Sequence, residues 1–221
     1  MTATTAETLG CDTSDMLTIH ALFRRAFADA PVLVRGVADG DTARMLPVTG
    51  HVRELAGALH HHHAGEDLLL WDTLEQRAPA CALHVGLMRS QHAATAAQLE
   101  RLGSLLDAWE QSAGTAERDA VAALLDEVRD TLLTHLGQEE TQILPTASTV
   151  MSQREWNLLH EHGMASIPRN RMFLQLGWIL EVVPPDERAR WLRTNLPAPA
   201  RLLWRLMGRR QFAAHRARVY G

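Results

Sequence analysis

The sequence predicts an all-α protein, an antiparallel up-down four-helix bundle with a C-terminal helical extension. Alanine and leucine dominate the 221 residues, and long stretches hold few Val, Ile or Thr, which favours helix over strand. Apolar residues recur at helical spacing in four long segments that are separated by Gly, Pro and Asp clusters. After residue 147 the prolines become dense and allow only short helices.

The first predicted helix covers residues 14–37, with Ser14 or Asp15 as its cap and a kink at Pro31. The Thr- and Ala-rich residues 1–13 are expected to be disordered. The remaining bundle helices are predicted over residues 42–76 (interrupted or bent near Pro47 and Gly50), 80–111 and 116–144. The bundle would thus occupy residues 14–147.

Residues 148–221 form the predicted extension, packed on the bundle or on a partner. Ser152 and Glu155 match a capping box for a helix that reaches about His162. A last helix, about Ala200 to Arg218, has one apolar side and one Arg-rich side. That pattern fits a docked appendage, an oligomer contact, or a helix for a membrane surface or nucleic acid. A solvated outer face is the favoured reading.

Composition limits the function classes. The net charge of −4 argues against bulk attraction to nucleic acid, and the most apolar stretch, residues 172–183, is too short to span a bilayer. We therefore expect a small-molecule ligand, with neither nucleic acid nor a membrane as partner. The two cysteines, Cys11 and Cys81, are too few for a disulfide framework, and no secretory signal is evident, so a cytoplasmic location is expected.

Two segments repeat a histidine–carboxylate spacing. His62 precedes Glu66, and His135 precedes Glu139, by four residues. His63 and Asp67 have the same spacing one step around the helix and are the weaker alternative, because the parallel with His135 selects His62. On a helix such a pair lies on one face, one turn apart, so both side chains can bind one metal or two neighbouring metals. Apolar residues surround both motifs, and buried charges there would be costly without a cation.

Two further histidines, His20 and His92, precede these motifs by 42 and 43 residues. In antiparallel helices, two residues lie at the same level when the connecting turn is midway between them. The midpoints between successive histidines fall at residue 41, at residue 77 and between residues 113 and 114, where the breakers place turns. Four histidines on four helices thus converge on one layer.

The arrangement of His20, His62-x-x-x-Glu66, His92 and His135-x-x-x-Glu139, closed by Ile143-Leu144-Pro145, resembles the hemerythrin family (HHE cation-binding domain). The resemblance covers about residues 14–147. It implies a four-helix bundle that holds two non-haem irons, often bridged by an oxo or hydroxo group. By this resemblance, the four histidines are terminal ligands and the two glutamates are bridging carboxylates.

One departure concerns the third helix. Oxygen carriers of the family place two ligand histidines there, whereas this chain has Met88 four residues before His92 and Ala96 four residues after it. A thioether is a poor ligand for ferric iron. Either an iron keeps an extra open or water-filled position, or another group fills it, with His160 the first candidate, followed by His63 and His84.

An open position favours reaction over reversible carriage. We therefore predict a diiron protein that binds and reacts with O2, peroxide or nitric oxide, with peroxidase-, catalase- or nitric-oxide-reducing activity as the enzymatic options. The alternative is a non-catalytic iron, oxygen or redox sensor, or an oxygen-binding protein. A ferritin-like site is disfavoured because no histidine has Glu three residues before it, and His160-Glu161-His162 lacks the spacing of a hydrolytic zinc site.

Overall fold

The chain is all-α, as predicted. The computed structural model describes residues 8–221, and within that range the backbone forms helices and turns, with isolated bridges at Ser152 but no β-strand. None of the described helices is long and apolar enough to cross a bilayer. The α-helices in chain order are α1 (Ser14–Arg35), α2 (Thr42–Leu69), α3 (Trp71–Arg77), α4 (Ala82–Ser112), α5 (Thr115–Gln138), α6 (Leu144–Val150), α7 (Gln153–Ser166), α8 (Met172–Val182), α9 (Arg188–Asn195), α10 (Ala198–Leu203) and α11 (Arg209–Tyr220).

The second helix differs from its prediction. It runs without interruption through Pro47 and Gly50, and it ends at Leu69 rather than at residue 76. Asp41 caps its start by accepting a hydrogen bond from the Arg44 amide, 3.0 Å away. This cap stabilises the first turn of the helix. The helix can therefore continue through Pro47, which lacks the amide donor of other residues.

The segment before α1 also differs from its prediction. Residues 1–7 lie outside the described part of the chain, but the amides of Gly10 and Cys11 donate to the carbonyls of Met151 and Ser148, at 2.8 and 3.0 Å. The predicted disorder is therefore wrong for these residues. Composition indicated no partner for them, since the partner is a distant backbone segment.

Helices α1, α2, α4 and α5 surround a common interior. Helix α1 packs against α2 and α5, and α4 packs against the same two helices, so the four form a closed ring. The two tight turns meet at one end: the Gly40 amide donates to the Ala113 carbonyl, and the Thr115 amide donates to Asp39. Ala113 has a φ of +51°, the left-handed conformation that ends a helix.

A π-turn over Glu139–Ile143 follows α5 directly. The Leu144 amide donates to the Glu139 carbonyl, five residues earlier, and the Thr141 hydroxyl donates to the Gly137 carbonyl at 2.8 Å. Pro145 has no amide to continue the regular pattern. π-Turns inside helices are frequent at functional sites, and this one carries a predicted ligand.

The extension is docked on the bundle. Helix α8 packs against α1, and α11 packs against both α8 and α2. The Tyr220 hydroxyl donates to Asp29 at 2.9 Å, and the Arg44 guanidinium donates to the carbonyls of Arg218 and Val219 near the end of the chain. The Trp178 ring lies between the bundle and the extension. Its centroid is 5.2 Å from that of the His51 ring and 5.7 Å from that of the Tyr220 ring.

Candidate dimetal centre

The bundle brings all six sequence-predicted residues together, and it adds a seventh. Two groups of metal-binding side chains lie side by side, with the ligand atoms of each group within 4.8 Å of one another. The first group is His20, His62, Glu66 and Glu139, and the second is His63, His92 and His135. They are supplied by α1, α2, α4, α5 and the π-turn.

Apolar layers enclose this polar cluster on both sides. Leu59 on α2 and Leu102 on α4 belong to one buried apolar cluster. Leu70, just after α2, and Met88 on α4 belong to another. The histidines and glutamates lie between these positions and are buried, His62 slightly less than the others. Met88 therefore packs in the core, consistent with its predicted unsuitability as a ligand.

Most of the candidate ligand atoms are buried and form no hydrogen bond within the described residues. These atoms are Nε2 of His20, His62 and His63 and all four carboxylate oxygens of Glu66 and Glu139, although each glutamate lies within ion-pair distance of histidines. A buried polar atom without a hydrogen bond is unfavourable, by about 1–3 kcal/mol where nothing compensates it. Cations coordinated by these atoms would remove that cost, so the donor set fits a metal pair.

Each glutamate lies close to histidines of both groups. For Glu66, Oε1 is 3.1 Å from His62 Nε2, and Oε2 is 3.3 Å from His92 Nε2. For Glu139, Oε2 is 3.3 Å from His20 Nε2 and 3.7 Å from His135 Nε2. The two carboxylates thus stand in the positions that bridging ligands require.

Outer side chains hold three of the imidazoles by Nδ1. Glu140 lies 2.9 Å from His20 Nδ1, Asp67 lies 2.8 Å from His92 Nδ1, and the Gln91 amide oxygen lies 3.0 Å from His135 Nδ1. Such contacts fix the ring so that Nε2 points at the metal, and they raise the basicity of the ligand.

These outer groups are themselves anchored. The Trp71 indole donates to Asp67 at 2.6 Å, Arg24 donates to Glu140 at 2.6 Å, and the Gln91 amide donates to Gln138 at 2.6 Å. The sequence reasoning missed this outer layer. The signal was present as the acidic residue that directly follows each glutamate, Asp67 after Glu66 and Glu140 after Glu139.

Electrostatics separate the histidines into two kinds. Burial lowers the pKa of His62 to about 3 and that of His135 to about 4, and it also lowers the pKa of His63 and His92. Four imidazoles are therefore neutral at neutral pH, the form that binds metal. Burial also lowers the pKa of His20, but Glu139 and Glu140 outweigh it and raise that pKa to about 9.

The two carboxylates are shifted in opposite directions. Burial and the neighbouring charge of Glu139 raise the pKa of Glu66. Burial also raises the pKa of Glu139, but the charge and hydrogen bond of His20 outweigh it and lower that pKa to about 2. In the metal-free protein, Glu139 and His20 thus form a buried ion pair, and Glu66 retains a proton more readily.

His63 is the histidine that the structure adds to the predicted set, and it is grouped with His92 and His135. Its ring is buried, stacked on His92 and 4.9 Å from His135 by ring centroid. Of the other sequence candidates, His160 is exposed, and His84 lies 2.7 Å from the side-chain oxygen of Gln142. The order of candidates in the sequence analysis therefore differs from the structure, which brings only His63 into the cluster.

A cavity of about 290 Å³ reaches this side of the cluster from the surface. His63 and His92 form its inner wall, and Asp67 and Arg89 are polar groups on its sides. Small side chains of α2 and α4 leave the space. The full lining is His60, His63, Ala64, Asp67, Arg89, His92, Ala93, Ala96 and Leu99.

Comparison with known families agrees with this geometry. The model of the hemerythrin HHE cation binding domain matches residues 12–147. The chain belongs to the hemerythrin family. Members of this family bind metal cations, typically iron. No curated protein and no solved structure is significantly similar to the chain. The resemblance drawn from the residues is thereby confirmed, and the matched range closely follows the predicted bundle.

Proposed function

We propose that this hemerythrin-family protein holds two non-haem irons in an antiparallel up-down four-helix bundle of residues 14–147 and reacts there with a small oxidant. The inward-facing, unpartnered imidazole and carboxylate atoms carry the metal assignment. His63, His92 and His135 would hold one iron, and His20 and His62 the other. Glu66 and Glu139 would bridge the two. A bound diiron pair supplies the electron transfer that such oxidants require.

The ligand count supports one less saturated iron. Counting both carboxylates as bridges, the three-histidine side offers five protein donors and the His20–His62 side offers four. The vacancy is thus assigned to the His20–His62 side, whereas the sequence pattern had placed it where the third helix lacks a histidine. His63 is the reason for the difference.

The cavity favours reaction over protected carriage. Its walls carry Asp67, Arg89 and His60 beside the His63–His92 side of the cluster. Reduction of peroxide or O2 consumes protons, and a solvent-connected polar wall can deliver them. A reversible carrier instead requires its bound O2 to be shielded from protons. The oxidant is thus proposed to be O2, peroxide or nitric oxide, and the protein a peroxidase-, catalase- or nitric-oxide-reducing type.

Anaerobic loading with ferrous iron, followed by mixing with one oxidant at a time, tests this proposal. We expect two irons per chain, an optical spectrum typical of a bridged diiron pair after oxidation, and repeated turnover when a reductant is supplied. Binding of a single iron would contradict the dimetal assignment. Reversible O2 binding with no turnover of peroxide or nitric oxide would contradict the reaction and indicate an oxygen-binding protein.

A sensor is the second candidate, because one contact joins the centre to the extension. A β-carbon at Gly65 would lie only 2.9 Å from Cδ2 of His162 on α7, so α7 packs closely on α2 at the residue before the bridging candidate Glu66. A movement of α2 at this point on metal loading would therefore displace α7. Hydrogen exchange of residues 153–220 with and without iron separates the two functions, since a large loosening on iron removal without catalytic turnover indicates a sensor.

A further inference from the structure

We propose that residues 202–210 form a surface that docks on anionic lipid bilayers. The charge of the chain is strongly divided: residues 188–221 contain nine Arg and no Asp or Glu. Residues 1–187 hold the other 13 Arg against all 26 acidic residues. The modest net charge of −4 therefore conceals a cationic C-terminal end on an acidic bundle.

Four large apolar side chains project from the same segment into solvent. Leu206 is 69% exposed, Leu202 is 55% exposed, and Leu203 and Met207 are each 46% exposed. Leu202 and Leu206 are about one turn apart, as are Leu203 and Met207, so the four form two adjacent rows. Arg205 and Arg209 form a third row along one edge. We call this surface, with Arg210 included, the Arg–Leu face.

The fold fixes which side of this segment faces outward. Trp204 and Gly208 are buried against α8 and α11, and a β-carbon at Gly208 would lie 2.4 Å from the Trp204 ring and 3.0 Å from the Phe173 ring. Trp204 also belongs to the apolar cluster with Leu176 and Leu180. This close approach holds the segment by its inner side. The apolar residues of the Arg–Leu face cannot turn inward without disrupting the packing of Trp204 and Gly208.

The arginines of the face are available for an external partner. Arg205, Arg209 and Arg210 are exposed, and none of them forms an ion pair with any residue between 8 and 221. By contrast, Arg216 on the inner side of α11 pairs with Glu181 at 3.2 Å. Exposed cations beside exposed leucines are the pattern of helices that lie in a membrane interface, with leucines at the acyl boundary and arginines at headgroup phosphates.

An anionic lipid surface fits the Arg–Leu face better than the other partners that a cationic protein surface could bind. Nucleic acid backbone binds Arg, but it has no apolar layer to cover Leu202, Leu206 and Met207. A second copy of the chain could offer its acidic bundle, but such a head-to-tail contact does not close on itself and would produce open chains of molecules. This proposal departs from the sequence-based expectation of no membrane partner. It concerns a helix that lies on the bilayer surface, and this is compatible with the finding that no helix within residues 8–221 can span a bilayer.

Co-sedimentation of the full-length protein with vesicles tests the proposal. Vesicles of phosphatidylcholine alone are compared with vesicles of equal parts phosphatidylcholine and phosphatidylglycerol, at about 0.05 M and about 0.5 M salt. We expect binding to the anionic vesicles at low salt and little binding to the neutral ones. Arg205→Gln combined with Arg209→Gln should lower the partition coefficient about fivefold for each arginine removed. Leu202→Gln combined with Leu206→Gln should lower it on the order of tenfold.

Matched controls exclude a general surface effect. Leu83 on α4 is 88% exposed, and Arg101 on the same helix is exposed too, so Leu83→Gln and Arg101→Gln should leave vesicle binding unchanged. Unchanged iron content in the test variants shows that the bundle is intact. The proposal is overturned by equal binding to both vesicle types, by no binding, or by binding to nucleic acid alone. Self-association that the test variants abolish, without vesicle binding, would assign the face to a second copy.

Discussion

The imidazole of His63 on α2 is stacked on that of His92 on α4, with ring centroids 4.0 Å apart and an interplanar angle of 10°. Two neighbouring helices thus place one imidazole each at the same end of the cluster. Burial lowers the pKa of both, and the charge that each would carry if protonated would repel the other. The pair is therefore held neutral, the form in which imidazole can bind a metal.

We expect His63→Ala to reduce the bound iron from two to about one per chain, because one iron would lose one of its three histidines. His61→Ala is the matched control, since His61 lies two residues away in the same histidine run but is exposed. Metal analysis after loading and desalting measures the result. Full iron content in His63→Ala would remove this residue from the ligand set.

The stacking also shows where prediction from the sequence stopped. The turns midway between successive histidines predicted that His20, His62, His92 and His135 lie in one layer, because antiparallel helices rise equally per residue. This prediction could not choose between consecutive histidines. Neighbouring residues point about 100° apart on a helix. The structure brings both His62 and His63 to the cluster, whereas the sequence analysis named His62 as the ligand and His63 only as a lesser candidate.

Features that depend on packing between distant segments could not be predicted from the sequence. The π-turn at Glu139–Ile143 depends on how the helix end is completed against its neighbours, and no composition signal marks it. The docking of α11 depends on the close approach of Gly177 to Phe212, which local patterns do not reveal. The capping box at Ser152 and Glu155 was predicted because it is wholly local, and both of its hydrogen bonds are present.

Glu66→Gln should have opposite effects on the metal-free and metal-loaded proteins. Burial and Glu139 raise the pKa of the Glu66 carboxyl, so this group destabilises the metal-free fold increasingly as the pH rises above its ordinary pKa. The neutral amide should therefore stabilise the metal-free protein by about 1 kcal/mol and weaken iron binding. Thermal melts with and without iron measure both. A variant less stable in the absence of metal would contradict this account of the site.

Acid should destabilise the docked extension through His51, which lies away from the metal cluster. Burial first, and then His215, lower the pKa of His51 to about 4 from an ordinary value of 6.5. The folded protein binds its proton less readily than the unfolded chain. The stability from neutral His51 is thus present above pH 6.5 and is lost as the pH falls toward 4.

Between about pH 7.5 and about pH 5 this loss amounts to about 2 kcal/mol. We expect His51→Phe, which keeps the ring contact with Trp178, to remove that part of the pH dependence in the metal-free protein. Urea unfolding at the two pH values measures it, with exposed His61→Phe as the control. An identical pH dependence in His51→Phe and the unsubstituted protein would show that His51 is not the titrating group.

The cavity is expected to deliver protons to the cluster from the His63–His92 side, away from the proposed vacancy on the His20–His62 side. Ala96 lies on the cavity wall, and a phenylalanine there would fill much of the space in front of His63 and His92. We expect Ala96→Phe to slow the reaction of the loaded protein with peroxide on the order of tenfold, with iron content unchanged. Ala97→Phe adds the same ring at the next, exposed position of α4, outside the cavity lining. Stopped-flow mixing of both variants measures the difference. If the two variants react equally fast, protons reach the cluster by another route, and the cavity no longer supports reaction over carriage.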